Sequence, residues 1–398
     1  MGTTILRTAC VTATAVFLAC SNSPAAESTI ADLKARASKG NAEAQAQLAL
    51  LYLDGRGTPT NSVEAVRWFR LAADQGLTLA QYYLGNCCYD GRGTRKDPEE
   101  GVRWWRKAAK AGNPLPQFNL ATALAHGIGT PQDPQEAAAW LRKSSDLGYT
   151  RATVALGLFY ERGMGVKQDF GEAVRLYRKA ADAGDAFAQF NLAACYKTGH
   201  GVPQDPRKAL ELTRAAAVAG DASAQSALGQ CYKLGWGVET NDEEALKWFK
   251  KAADQGDTKA QYRAATAYRD GKGAQTNLVQ AAYWFRRAAE QGNPQAQEAL
   301  GKCYAEGAGV KADMVEAYMW LTLAAAGGDK DAAELRDVMQ QRGKVSQQQI
   351  CEARTRARQM AANQSATLSA FQPPRRLPLS RLRMDLFPDL DHSGVLSE

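Results

Sequence analysis

A glycine–any residue–glycine triplet returns every 36 residues, at Gly55, Gly91, Gly127, Gly163, Gly199, Gly235, Gly271 and Gly307, with no insertion anywhere. A second glycine keeps the same period from Gly40 to Gly328. This constrains the chain more than its size does. A length of 398 residues alone suggests two or three domains, whereas an unbroken period demands one small unit stacked on copies of itself.

Offsets are counted from the first glycine of each repeat. Offset one is Asn or Asp in seven of nine repeats, from Asn41 to Asp329, which marks the N-cap of a first helix, helix A. Ala at offset four (Ala44, Ala80, Ala188) and Leu at offset eight (Leu48, Leu84, Leu228) form its packed stripe. At offset nine, Ala or Gly lets a neighbouring helix approach closely. Gly-x-Gly then ends helix A, because glycine enters left-handed backbone geometry without steric cost. Asn or Asp at offset twenty-one (Asp97, Asp169, Asn241, Asp313), usually with Glu three residues later (Glu100, Glu172, Glu244, Glu316), predicts a capping box opening helix B. Helix B carries a large ring at offset twenty-eight, as in Trp68, Trp104, Trp140, Trp248, Trp284 and Trp320, and the spacing predicts that this ladder is core. A pair of antiparallel helices cannot bury a face alone. The expected fold is therefore all-α, an α/α solenoid (superhelix) of helix-turn-helix repeats.

The consensus, A-x-A-Q-x-x-L-G-x-x-Y-x-x-G-x-G-V-x-x-D-x-x-E-A-x-x-W-x-x-K-A-A-x-x-G, resembles the Sel1-like repeat family, a relative of tetratricopeptide repeats. The resemblance covers residues 40–327 as eight repeats. Residues 328–363 keep the frame but place Arg336, Asp337 and Arg356 in apolar slots, as a degenerate capping repeat should, and 28–39 read as an N-terminal capping helix. Some exported relatives staple their repeats with disulfides. Here Cys87, Cys195, Cys231 and Cys303 share offset eleven, and equivalent helices about 8–10 Å apart are too distant for a disulfide. Cys195 and Cys231 are expected to be free, buried thiols.

Enzyme motifs dissolve against the repeat. "CYKTGHGV" at 195–202 contains Lys-Thr-Gly and a histidine between glycines, yet the His200 slot holds Arg56, Arg92, Ile128, Met164, Trp236, Lys272 and Ala308 elsewhere, so an exposed loop tip is expected. Ser-x-x-Lys, Gly-x-Ser-x-Gly, His-Glu-x-x-His and Cys-x-x-Cys are absent, and three scattered histidines offer no zinc site or triad. Catalytic residues: none. A net charge of +7, much of it outside the repeats, gives no basic stripe with interleaved aromatics, so no nucleic-acid partner is expected.

The termini carry separate signals. Arg7 precedes an apolar run, 9–20, too short for a mature membrane span, which reads as a signal peptide over residues 1–26. "FLAC" resembles a lipobox that would lipidate Cys20, although Phe17 departs from the usual leucine. Cleavage near Ala25 or Ala26 and an unstructured leader are the alternatives. The expected location is periplasmic or membrane-anchored. Residues 364–398 read as a Pro/Arg-rich disordered tail. In it Asp389, Asp391, Ser393 and the Val395 carbonyl match an EF-hand loop whose bidentate acid would fall beyond Glu398. Calcium is a possible cofactor only if that loop is completed. The segment is either part of a longer calcium module or an acidic tail.

Function follows from the architecture and the resemblance together. The expectation is a non-catalytic scaffold that binds a peptide or protein in a concave groove lined by exposed positions of helix A: Tyr83, Asn86, Asn119, Asn191, Gln230, Arg263 and Lys302. Trp236 at a loop tip is a further contact candidate. The alternative is an exported hydrolase of β-lactamase or penicillin-binding type, an activity with which cysteine-rich relatives have been credited.

Overall fold

The computed structural model describes residues 24–370. Among them are nineteen helices and no strand, and each helix packs chiefly on its neighbours in the chain. The chain divides into two compact units, one running through Gln168 and the next beginning at Asp169. Each unit is built of alternating A and B helices, with the boundary between the helices Thr150–Arg162 and Phe170–Asp182, and the protein is an all-α repeat solenoid of the expected kind.

Local rules set every boundary. Helix A of the first repeat, Ala42–Asp54, is capped by Asn41, whose side chain accepts from the Ala44 N–H at 2.7 Å. It stops at Gly55, in left-handed geometry with φ 72°. Leu77 and Tyr149 replace the capping residue in two repeats, and no side-chain cap forms there.

The capping box is half realised. Asp97 caps helix B, Pro98–Lys110, by accepting the Glu100 N–H at 2.9 Å. Glu100 does not return the bond, because the Asp97 N–H already donates to the Cys88 carbonyl at 2.7 Å. The same long-range bond recurs from Asp133 to Leu124 and from Asn241 to Tyr232. It frees the glutamate for other work.

Offset nine behaves as expected. A Cβ on Gly85 would lie 2.5 Å from Trp105, and one on Gly229 would lie 2.7 Å from Phe249. Those rings stand at offset twenty-nine, and that position is the continuous core: Phe69, Trp105, Leu141, Tyr177, Phe249, Phe285 and Leu321 are buried. Each contributes roughly 1.5–3 kcal/mol of burial. The tryptophan ladder one residue earlier is only partly core. Trp104, Trp284 and Trp320 are buried, while Trp68, Trp140 and Trp248 are half-buried. Lysines cover the outer faces of three of these rings, Lys107 at 4.0 Å, Lys143 at 4.3 Å and Lys251 at 4.0 Å from the ring centres.

The end helices differ from the sequence boundaries. The first described helix is Pro24–Ser38, so position 28 falls inside it. The last, Gln347–Ala370, runs past 363, and the Gln364 amide donates to the carbonyls of Ala289 and Glu290 at 3.1 and 3.2 Å. Ala353 and Ile350 bury the inner face of this cap, and Arg356 stands exposed between Glu316 and Glu352.

Candidate functional site

The predicted contact positions lie at offsets seven and ten of helix A, and the fold turns most of them inward. Asn191 is 6% exposed and Gln230 8%, and both are withdrawn as free contact positions. Tyr83, Asn86, Asn119 and Arg263 are half-buried, and Lys302 alone of the seven is exposed, paired with Glu298. The reason is that offsets seven and ten of successive A helices face each other across a seam. The Asn119 amide donates to Asn86 Oδ1 at 3.2 Å, an atom that also accepts the Trp105 indole N–H at 3.0 Å. Tyr83 stacks on Phe69 with ring centres 5.4 Å apart. Trp236 is half-buried under the Lys197 ammonium, 5.5 Å from its ring centre, rather than projecting. Burial lowers the Lys197 pKa. His200 is exposed as expected and lies on Phe170.

A cleft of about 390 Å³ opens along this seam in the second unit, between helix Asp242–Asp254 and helix Thr258–Asp270. Arg263 lines it, as do Lys233, Arg269 and Lys272, which the sequence reading did not single out. The signal was present. Offset eight, Leu in the other full repeats, is Ala264, and offset eleven is Ala267, where others place Leu51, Ala123, Phe159 or a cysteine. Lost volume leaves a gap that Ala267 lines. Arg263 lies over the Phe249 ring at 5.7 Å and donates to Ser226 Oγ at 3.3 Å. Arg269 holds both Asp270 oxygens, at 2.7 and 3.3 Å, and that bond raises its pKa.

The cysteines at offset eleven are buried and form no disulfide among the described residues, as expected of Cys195 and Cys231. Burial pushes the Cys231 and Cys88 thiols up to about 12, so neither is a ready nucleophile. No cluster of metal-ligating side chains occurs among the described residues. No described helix is long and apolar enough to cross a membrane. Cys20, Asp389, Asp391, Ser393 and Val395 lie outside the described residues.

A model of the Sel1 repeat matches eight consecutive segments between residues 42 and 329. The chain belongs to the Sel1 repeat family. A Sel1 repeat protein from Oxalobacter formigenes is similar at 34% identity with a TM-score of 0.61, over 78% of this chain and 90% of that one. The antigen c5321, described as protective, present in uropathogenic Escherichia coli strains and displaying an SLR fold, is similar at 28% identity with a TM-score of 0.50, over 93% of this chain and 84% of that one. No curated protein matches the chain. Within this family's fold, the recurring residues of the chain serve caps, turns and packing.

Proposed function

We propose that this Sel1 repeat protein is a non-catalytic scaffold that binds a peptide or protein partner along the seam of its A helices. The observation carrying this reading is the division of labour within the repeat. Recurring residues are consumed by structure, whereas the positions that vary line the seam and its cleft. A surface that changes from repeat to repeat on a rigid frame suits recognition rather than one repeated chemistry. The reading includes export, supported by Arg7 and the apolar run 9–20, with anchoring through Cys20. Mass spectrometry of the mature N-terminus tests that part; a chain starting at Met1 refutes export.

The binding claim is tested by cross-linking in cells followed by affinity purification, comparing the native chain with an Arg263→Glu/Lys302→Glu variant. A partner captured by the native chain and depleted with the variant supports the seam. Failure to capture any protein counts against the scaffold itself. Nothing observed favours hydrolysis, and nitrocefin turnover abolished by one Ser or His substitution would reverse the assignment.

A further inference from the structure

The cleft beside Ala267 has a chemistry of its own. Four cationic side chains line it, Lys233, Arg263, Arg269 and Lys272, against two carboxylates, Asp242 and Asp270. Arg269 and Asp270 largely neutralise each other and Arg263 is engaged with Ser226 and Phe249, so that Lys233 and Lys272 face Asp242. The floor is the half-buried ring of Tyr262, with Leu246 and Phe249 buried beneath it. The volume matches sites that enclose a few side chains.

We propose that this cleft binds a linear acidic segment of a partner protein, seating one apolar side chain on Tyr262 with flanking carboxylates on Lys233 and Lys272. This deepens the scaffold reading and rests on it. Charge complementarity selects the occupant: an excess of cations around an apolar floor matches alternating carboxylate and apolar side chains. Asp242 at the margin discriminates further. It can accept a peptide N–H, which a nucleic-acid backbone lacks, and it repels a continuous row of phosphates. The depth of the site goes with two small side chains, Ala264 in a slot that holds Leu in the other full repeats and Ala267 in a slot that holds Leu51 in the first.

The test is fluorescence anisotropy of the full chain with a labelled Glu-Asp-Leu-Phe-Glu-Asp peptide as probe. Saturable binding is expected, weakened at least about tenfold by Lys233→Glu/Lys272→Glu, which removes two attractive contacts and adds two repulsive ones. Ala267→Leu should weaken it without changing charge, by filling the floor with a side chain the fold accepts elsewhere. Lys110→Glu, an exposed position far from the cleft that carries no binding role, should leave it unchanged, and circular dichroism should show native helix in every variant. Equal binding of the Gln-Asn-Leu-Phe-Gln-Asn probe, unchanged binding by the charge-reversed chain, or equal competition by a single-stranded oligonucleotide overturns the proposal. Tighter probe binding after Asp385, Asp389 and Asp391 are changed to Asn in the full chain would assign the cleft to this chain's own segment and also overturn it. A cellular partner cross-linked equally by the native and the Lys233→Glu/Lys272→Glu chains would leave the scaffold standing and remove the cleft from its function.

Discussion

Two glycines of each repeat share a positive φ but answer to different constraints. A Cβ on Gly273, the second glycine of its triplet, would lie 2.1 Å from the Asp242 carbonyl oxygen of the preceding repeat, while one on Gly256 would meet nothing within 4 Å. Left-handed geometry costs a non-glycine residue about 1–2 kcal/mol. Gly256→Ala should therefore cost that much in urea denaturation, and Gly273→Ala clearly more, because the backbone must also part. Equal losses would show that the close approach is without consequence. The glutamine at offset five illustrates a second residue-scale rule. Gln45, Gln117 and Gln261 donate to carbonyls ending the preceding helix at 3.1–3.2 Å. In some repeats a second glutamine, thirty residues on, satisfies the remaining oxygen: Gln75 on Gln45 and Gln291 on Gln261. At the equivalent position after Gln117 stands Leu147, half-exposed, and Gln117 Oε1 is buried without a hydrogen bond. Leu147→Gln should stabilise the chain by about 0.5–1.5 kcal/mol. A calorimetric Tm that stays level or falls would contradict this account.

Between elements, one arginine slot joins successive repeats and changes partner according to what the next helix A offers. Where that helix supplies tyrosine, the arginine takes its hydroxyl: Arg178 on Tyr196 at 3.1 Å, Arg214 on Tyr232 at 3.3 Å. Where Cys88 or Leu124 occupies the tyrosine position, the arginine turns to the glutamate freed from the capping box, Arg70 to Glu100 at 2.8 Å and Arg106 to Glu136. The Trp140 indole joins the second pair, donating to Glu136 at 3.0 Å. The Arg106 guanidinium, helped by Trp140 against partial burial, lowers the Glu136 pKa from the ordinary 4.5. A depressed carboxyl stabilises the fold fully above its unfolded pKa, and the contribution disappears as pH falls through the folded one. The pair is a third exposed, which limits it to about 1 kcal/mol or less. Glu136→Gln should then destabilise at neutral pH, with the difference from the native chain closing on acidification below the ordinary glutamate range. A pH-independent difference would mean that packing, not charge, holds this joint.

At the scale of the whole molecule, stability is a chain of nearest-neighbour interfaces, so damage should stay near its origin. Ala353 is fully buried in the C-terminal cap, in one cluster with Ala317, Tyr318 and Leu321 of the last full repeat. Ala353→Glu should cost about 3 kcal/mol by burying an unpaired charge. Hydrogen exchange should accelerate most in the helices Pro294–Glu306 and Met314–Ala326, and least in Ala186–Thr198. Uniform acceleration across the second unit would show instead that it unfolds as one cooperative body.

The fold class, the caps and the stripe of helix A were legible in the chain alone, because these depend on backbone geometry and contacts within about one turn of helix. The sequence also placed Cys195 and Cys231 as buried cysteines outside any disulfide, from the spacing of stacked helices. Only the tertiary structure decided which side of each helix remains open. Offsets seven and ten vary between repeats as a surface would, yet Asn191 and Gln230 are buried, and elsewhere side chains of successive A helices meet, as Asn119 does Asn86 and Arg263 does Ser226. The glutamate of the capping box was legible as a residue but not in its role, since the Cys88 carbonyl that displaces it lies in the preceding helix. The cleft likewise depends on volume missing at Ala264 and Ala267, which a one-dimensional pattern shows as two small residues. Its charge arises only when Lys233 from the preceding helix A converges with Arg263 and Lys272 around that gap.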